Sequence, residues 1–296
     1  MSSTALNQPR SEVSKRLEAA VKGAPMRLII IAVVALWTLP TLGLLVSSFR
    51  TELAIIDTGW WQGLADFANF DQWTFGNYER VALADQMADA FLNSLLVTLP
   101  ATVIPITIAA FAAYGIAWMT FPLRQAIFVL IVGLLVVPLQ MALIPILRIY
   151  TRLQLNGTFI GMWLAHTGFG LPLATYILYG YISSIPKSII ESAEADGATP
   201  WMLFTRLILP LSVPAIASFA IFQFLWVWND LLVALVFLGT QTPIVTTRLA
   251  EMVGSRGQDW HVLTAGAFMT MIMPLIVFFT LQRYFVRGMM AGSVKG

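Results

Sequence analysis

The sequence predicts an all-α, polytopic membrane protein with six transmembrane helices and both termini on the cytoplasmic side. The chain is 58% hydrophobic and only 11% charged, whereas a soluble domain carries about 25% charged residues. So few charges could hardly cover a water-facing surface. Six apolar runs reach the length of about 20 residues that a helix needs to cross a bilayer. They lie at roughly 27–48, 93–118, 125–147, 158–182, 208–238 and 262–282. Lysine and arginine are unequally shared between the connections, and that bias sets orientation.

The N-terminal segment, 1–26, is polar and holds Arg10, Lys15, Arg16 and Lys22. A cleavable signal would place a short apolar core nearer the start, followed by a small-residue cleavage site. The first run is long enough to span, so it reads as an uncleaved anchor opening a transmembrane domain over 27–285. With the N-terminus inside, the inner segments hold Arg10, Lys15, Arg16, Lys22, Arg27, Arg124, Lys187, Arg206, Arg283, Arg287 and Lys295. The outer ones hold only Arg50, Arg80, Arg148, Arg152, Arg248 and Arg256. An even number of crossings then returns the tail, 286–296, to the cytoplasm.

Prolines recur inside the runs, among them Pro40, Pro100, Pro105, Pro138, Pro172 and Pro274. They predict kinked helices in a bundle, where neighbouring helices satisfy the carbonyls that proline frees. The first external connection, about 49–92, is long, acidic and rich in aromatics such as Trp60, Trp61 and Trp73. It reads as a folded cap over the bundle, or as a docking surface for an external partner. The connection at about 239–261, with Gly239, Gly254 and Gly257, reads as a mobile loop whose Trp260 returns to the membrane interface.

Between the fourth and fifth runs lies a polar, helix-forming insert at 184–207. Ser184 serves as an expected N-cap, with Pro186 in the first turn. Gly197 is placed to take the left-handed conformation that ends a helix, and Thr199-Pro200 starts a second helix. Ile189, Ile190 and Ala193 form an apolar strip, while Glu191, Glu194 and Asp196 supply negative charge. Such a knob suits docking into a groove on another protein. The alternative is an ordinary connector lying flat at the membrane surface.

The insert, ESAEADGATPWMLFTRLILP, resembles the EAA loop of bacterial ABC-importer permeases. Glu191, Ala193, Asp196, Gly197, Ala198, Leu207, Leu209 and Pro210 match its pattern, and Ser192 stands where the family has its first alanine. The resemblance implies that these are short coupling helices, with Gly197 as the turn that fits an ATPase cleft and Glu191 as an acidic contact. Asn93-Ser94-Leu95, Ala112-Ala113-Tyr114-Gly115, Trp228-Asn229 and the terminal AGSVKG are similar to the carbohydrate-importer branch. The runs 163–182 and 219–239 look like permeases for maltose, trehalose and other α-glucosides. The family implies a second permease subunit, two copies of a cytoplasmic ATPase subunit, an extracytoplasmic sugar-binding protein, and a place in the bacterial inner membrane. ATP and Mg would then sit on the ATPase partner, with no cofactor in this chain. The resemblance also implies that the tail reaches toward the ATPase pair.

A sugar pathway is expected along the fifth run. Helical spacing puts Phe222, Trp226 and Asn229 on one face with Asp230 beside it. Aromatic faces stack on sugar C–H groups, and amides or carboxylates bind hydroxyls. The alternative is that Trp226 and Trp228 are packing anchors and Asp230 is tied into a helix contact, since intramembrane acids usually face the bundle interior or water.

Other classes find less support. Cysteine is absent, and His166 and His261 are far apart, so thiolate sites and a close histidine pair are excluded, a carboxylate-rich site stays open, and no metal ligand is assigned. A net charge of +2 does not point to nucleic acid. No Walker A, His-Glu-x-x-His or G-x-S-x-G sequence occurs, so no catalytic residue is assigned. A proton-coupled secondary transporter would have only Asp230 and His166 to work with, and the internal repeats common in that class are not visible. A permease for another solute is the nearer alternative.

Overall fold

A computed structural model describes the backbone of residues 12–255 and 259–293 and the side chains of 25–253 and 259–283. No strand occurs among the described residues; a single bridge pairs Arg50 with Trp73. Among the described residues, three helices are long and apolar enough to cross a membrane, or up to five if each of two bent pairs is one span.

Helix α1 runs without a break over Glu12–Ser48, so it begins well before the expected first span. Its early residues, such as Glu12, Lys15, Leu17 and Ala19, are good helix formers. The cap follows, with α2 (Glu52–Asp57) and α3 (Trp60–Ala65) wrapped around Arg50. The Arg50 guanidinium donates to the carbonyls of Ala54, Thr58 and Gly59 and to the Thr58 hydroxyl. It is almost fully buried, and desolvation lowers its pKa below the usual arginine value. The folded-cap expectation therefore holds.

Helix α4 (Met87–Trp118) and α7 (Phe159–Ile182) form the most extensive helix pair. Small residues let them approach: Ala101, Ala109 and Ala113 on one side and Ala174 on the other, all buried. Alpha7 fills the expected fourth span. At about 1.5 Å per residue its length suffices to cross, but His166, Thr167 and its glycines and tyrosines keep it outside the set of strongly apolar helices.

The expected third span is bent by 102° between α5, with its short continuation, and α6 (Leu139–Arg152). Alpha5 covers Arg124–Gly133. Pro138, which has no N–H and disfavours helix in the residue before it, stands at the break. The insert holds α8 (Lys187–Ala195) and α9 (Pro200–Leu211), the latter widened into a π-type turn over Leu203–Ile208. A 68° bend at Ser212 leads into α10 (Val213–Trp228). The expected fifth span thus stops at Asn229 and resumes as α11 (Leu232–Phe237).

The connection expected to be a mobile loop contains α12 (Val245–Ser255). Its apolar side seats Val245 and Met252 in the core, and Arg248 pairs with Glu251 one turn on at 2.7 Å. Helix α13 continues over Trp260–Ser293. The stretch expected as a separate tail is therefore helical through Ser293, and 294–296 lie outside the described residues.

Three prolines show how kinked helices are tolerated. Within an α-helix Pro100, Pro105 and Pro274 leave the carbonyls four residues earlier without a donor. The Trp163 indole donates to Leu96 O at 2.9 Å, Gln223 to Ala101 O at 3.1 Å and the Trp228 indole to Thr270 O at 3.0 Å. Each of these three carbonyls is met by a residue of another helix, so the bundle expectation holds for these prolines.

Candidate functional site

Two regions carry the residues singled out in the sequence. In the insert, Ile190 is buried and Ala193 half-buried against Leu203, Phe204 and Tyr114, while Glu191, Glu194, Asp196 and Gly197 are exposed. Ile189, expected on the apolar strip, is 40% exposed. Alternate turns thus fix α8 to the bundle and leave an acidic ridge outward.

The turn has a complete glycine-type helix ending. Gly197 has φ +85°; its N–H donates to Glu194 O and the Ala198 N–H to Ala193 O, at 2.9 and 3.0 Å. These two bonds satisfy carbonyls that the helix end would orphan. Thr199 caps α9 by accepting the Met202 N–H at 3.3 Å, and Pro200 opens it. Ser184 is not the N-cap: its hydroxyl donates back to Tyr181 O, and Pro186 stands at the cap position without a side-chain bond. Pro186 displaces the helix start by two residues.

Lys187 and Glu191 pair at 2.7 Å on the exposed face, and the hydrogen bond to Glu191 holds the Lys187 ammonium above its usual pKa. The Tyr114 hydroxyl donates to Pro200 O at 3.1 Å, and Phe111 stacks on Phe204 with centroids 4.5 Å apart. The insert is therefore clamped to α4 at several points.

The second region surrounds the break in the fifth span. Asn229 caps the end of α10 and its amide donates to Leu225 O at 2.7 Å. Asp230 accepts the N–H of Val233 at 3.3 Å and of Ala234 at 3.0 Å, so it caps α11. Its carboxylate lies 3.8 Å from Nε2 of His166, which is fully buried and has no hydrogen-bond partner on either ring nitrogen. Trp226 meets the His166 ring edge-on with centroids 5.4 Å apart.

Trp226 lines a cavity of about 700 Å³, together with Leu139, Gln140, Tyr150, Phe169 and Pro172. Of the three expected pathway residues, it alone lines this cavity; Asn229 and Asp230 sit just beyond, at the break. Trp228 is buried against Phe91 and Phe224 and belongs to packing. The sequence reading missed Tyr150 and Phe169, whose local spacing carries no signal. It also missed a grouping of Glu52, Asp259 and His261, whose ligand atoms all lie within 4.8 Å of one another.

Comparison with known proteins gives a consistent picture. The family model for the inner membrane component of binding-protein-dependent transport systems matches residues 105–291, more than half of the chain. The osmoprotective-compound uptake permease protein GgtD of Synechocystis sp. is 59% identical over 92% of each chain. The α-glucoside transport system permease protein AglG of Rhizobium meliloti is 57% identical over 76% of this chain and 61% of its own length. The trehalose transport system permease protein SugB of Mycobacterium tuberculosis is 34% identical over 75% of this chain and 82% of its own. Among solved structures, a chain of a bacterial ABC transporter that imports the acidic polysaccharide alginate superposes with a TM-score of 0.69. That match is 19% identical and covers 94% of this chain and all of the other.

Proposed function

We propose, from the premise that this chain belongs to the family of binding-protein-dependent transport system inner membrane components, that it is the permease subunit of an ABC importer for a sugar of the α-glucoside class. It would form half of the translocation pathway beside a second permease subunit, in the bacterial inner membrane. Counting α7 and each bent pair as one crossing, with α1, α4 and α13, gives the six spans of the reading. Both termini and the 184–207 insert then share the cytoplasmic face, where two copies of an ATPase subunit would bind with their ATP and Mg.

The observation that carries this reading is the insert itself: an exposed acidic ridge of Glu191, Glu194 and Asp196 on a helix whose other face is seated in the core. Alpha9 leads through the 68° bend straight into α10, which carries Trp226 in its last turn with Asn229 and Asp230 just past its end. A partner that grips the ridge and Gly197 would lever α9, and with it the end of the helix that borders the cavity. Trp226 offers an aromatic face for sugar C–H groups, and Asn229 and Asp230 offer polar groups for hydroxyls. An extracytoplasmic binding protein would deliver the sugar at the opposite end.

A second reading keeps the machinery and changes the cargo, because one relative is a permease for osmoprotective compounds. Uptake of labelled α-glucosides, monosaccharides and osmoprotective solutes by a strain lacking this gene tests both. Loss of α-glucoside uptake, restored by the gene, supports the sugar reading. Loss confined to osmoprotective solutes supports the second, and unchanged uptake of all three contradicts both.

A further inference from the structure

The end of the molecule opposite the insert gathers three potential metal ligands from segments far apart in the sequence. Glu52 opens α2 of the cap, Asp259 ends the connection before the last helix, and His261 lies in the first turn of α13. One ligand atom from each lies within 4.8 Å of the other two. His261 is 5% exposed. A nearly buried imidazole beside two carboxylates brings one nitrogen and two oxygen donors together from three separate segments.

We propose that Glu52, Asp259 and His261 form a binding site for a late first-row divalent cation, Zn²⁺ in particular. The donor set is one neutral imidazole nitrogen and two carboxylate oxygens, a combination that suits Zn²⁺ and leaves a position for water. Mg²⁺ and Ca²⁺ prefer all-oxygen shells with more ligands. Ligand atoms around a tetrahedral Zn²⁺ stand closer together than 4.8 Å, so binding draws the three side chains inward. Glu52 is exposed and free to make that movement.

Arg80 is the competing group. Its guanidinium donates to one oxygen of Asp259 at 3.2 Å, and its side chain is 41% exposed. The contact engages Oδ2 and leaves Oδ1 to a cation, while the positive charge of Arg80 opposes cation binding. The occupied site would tie the cap to the outer start of α13. It would therefore fix the surface formed by α2, the external connection and the last helix. This inference stands apart from the transport reading, since it needs only these side chains.

The test uses the full-length chain in lipid nanodiscs, with any histidine tag removed and metal stripped by chelator, titrated calorimetrically with Zn²⁺, Mg²⁺ and Ca²⁺. One Zn²⁺ per chain should bind, with Mg²⁺ and Ca²⁺ far weaker. Glu52→Gln and His261→Gln should each weaken Zn²⁺ binding by at least about tenfold, since even outer-shell losses cost that much. Glu52 is exposed, so its variant keeps the test valid if the histidine change disturbs folding. Arg80→Gln should tighten binding severalfold by removing the opposing charge. No saturable Zn²⁺ binding, or binding unchanged in both ligand variants, overturns the proposal.

Discussion

The indole of Trp228 on α10 donates to the carbonyl of Thr270 on α13, the carbonyl that Pro274 leaves without a helical donor. The bond crosses between two helices, so each residue gives the other its reason. A tryptophan and a proline 46 positions apart act as one structural unit.

Trp228→Phe should therefore lower stability by about 1 kcal/mol, the usual net worth of a hydrogen bond. Pro274→Ala restores an N–H within α13 and should make the tryptophan bond dispensable. In the double variant the cost of Trp228→Phe should shrink markedly. Thermal melting of all four proteins in one detergent checks this. Strictly additive effects would show that the two sites do not share the carbonyl.

Asp230 has two roles that substitution separates. Asp230→Ala removes both acceptors at the start of α11 and should cost about 0.5–2 kcal/mol, the range for a lost cap. Asp230→Asn keeps one acceptor oxygen and should melt close to the parent. If the carboxylate also binds a passing sugar hydroxyl, the asparagine variant should lose about tenfold in uptake at low sugar concentration. Unchanged uptake with Asp230→Asn would leave the carboxylate as a cap alone.

The connection between the fifth and sixth spans is packed into the bundle: Ile244 and Val245 are buried, and the Val245 N–H donates to Ser94 at 2.9 Å. Its exposed side is a better target. Val253 is 53% exposed, and Val253→Lys should leave melting unchanged. If this face contacts the proposed binding protein, stimulation of transport by that protein should drop about fivefold, the effect of roughly 1 kcal/mol at an interface. Normal stimulation would make α12 a structural connector.

Much of this was legible in the sequence where one local pattern had one physical meaning. Apolar runs gave the helical class, and Gly197 followed by Thr199-Pro200 gave the helix–turn–helix of the insert. Prolines were harder. Pro138 breaks its span by 102° while Pro100 and Pro105 leave α4 continuous. In α4, Trp163 and Gln223 reach the freed carbonyls from other helices, a pairing that cannot be read from sequence. The break at Asn229 was hidden because 208–238 is uniformly apolar, and Asp230 caps a new helix rather than extending the old one. At the outer end, the glycines of 239–257 drew attention from the amphipathic period of 245–252. Glu52 and His261 are brought together only by the packing of the cap on α13.

The proposed coupling of the insert to a separate ATPase subunit is open to a co-purification experiment with insert variants. Gly197 holds φ +85° with open space around an added Cβ, so Gly197→Val would strain the backbone without a steric clash inside the chain. Glu191→Lys reverses the charge of the exposed ridge. Both variants should stay in the membrane at parental levels while the ATPase subunit no longer co-purifies and uptake is lost. Recovery of the ATPase subunit at normal yield with both variants would contradict it.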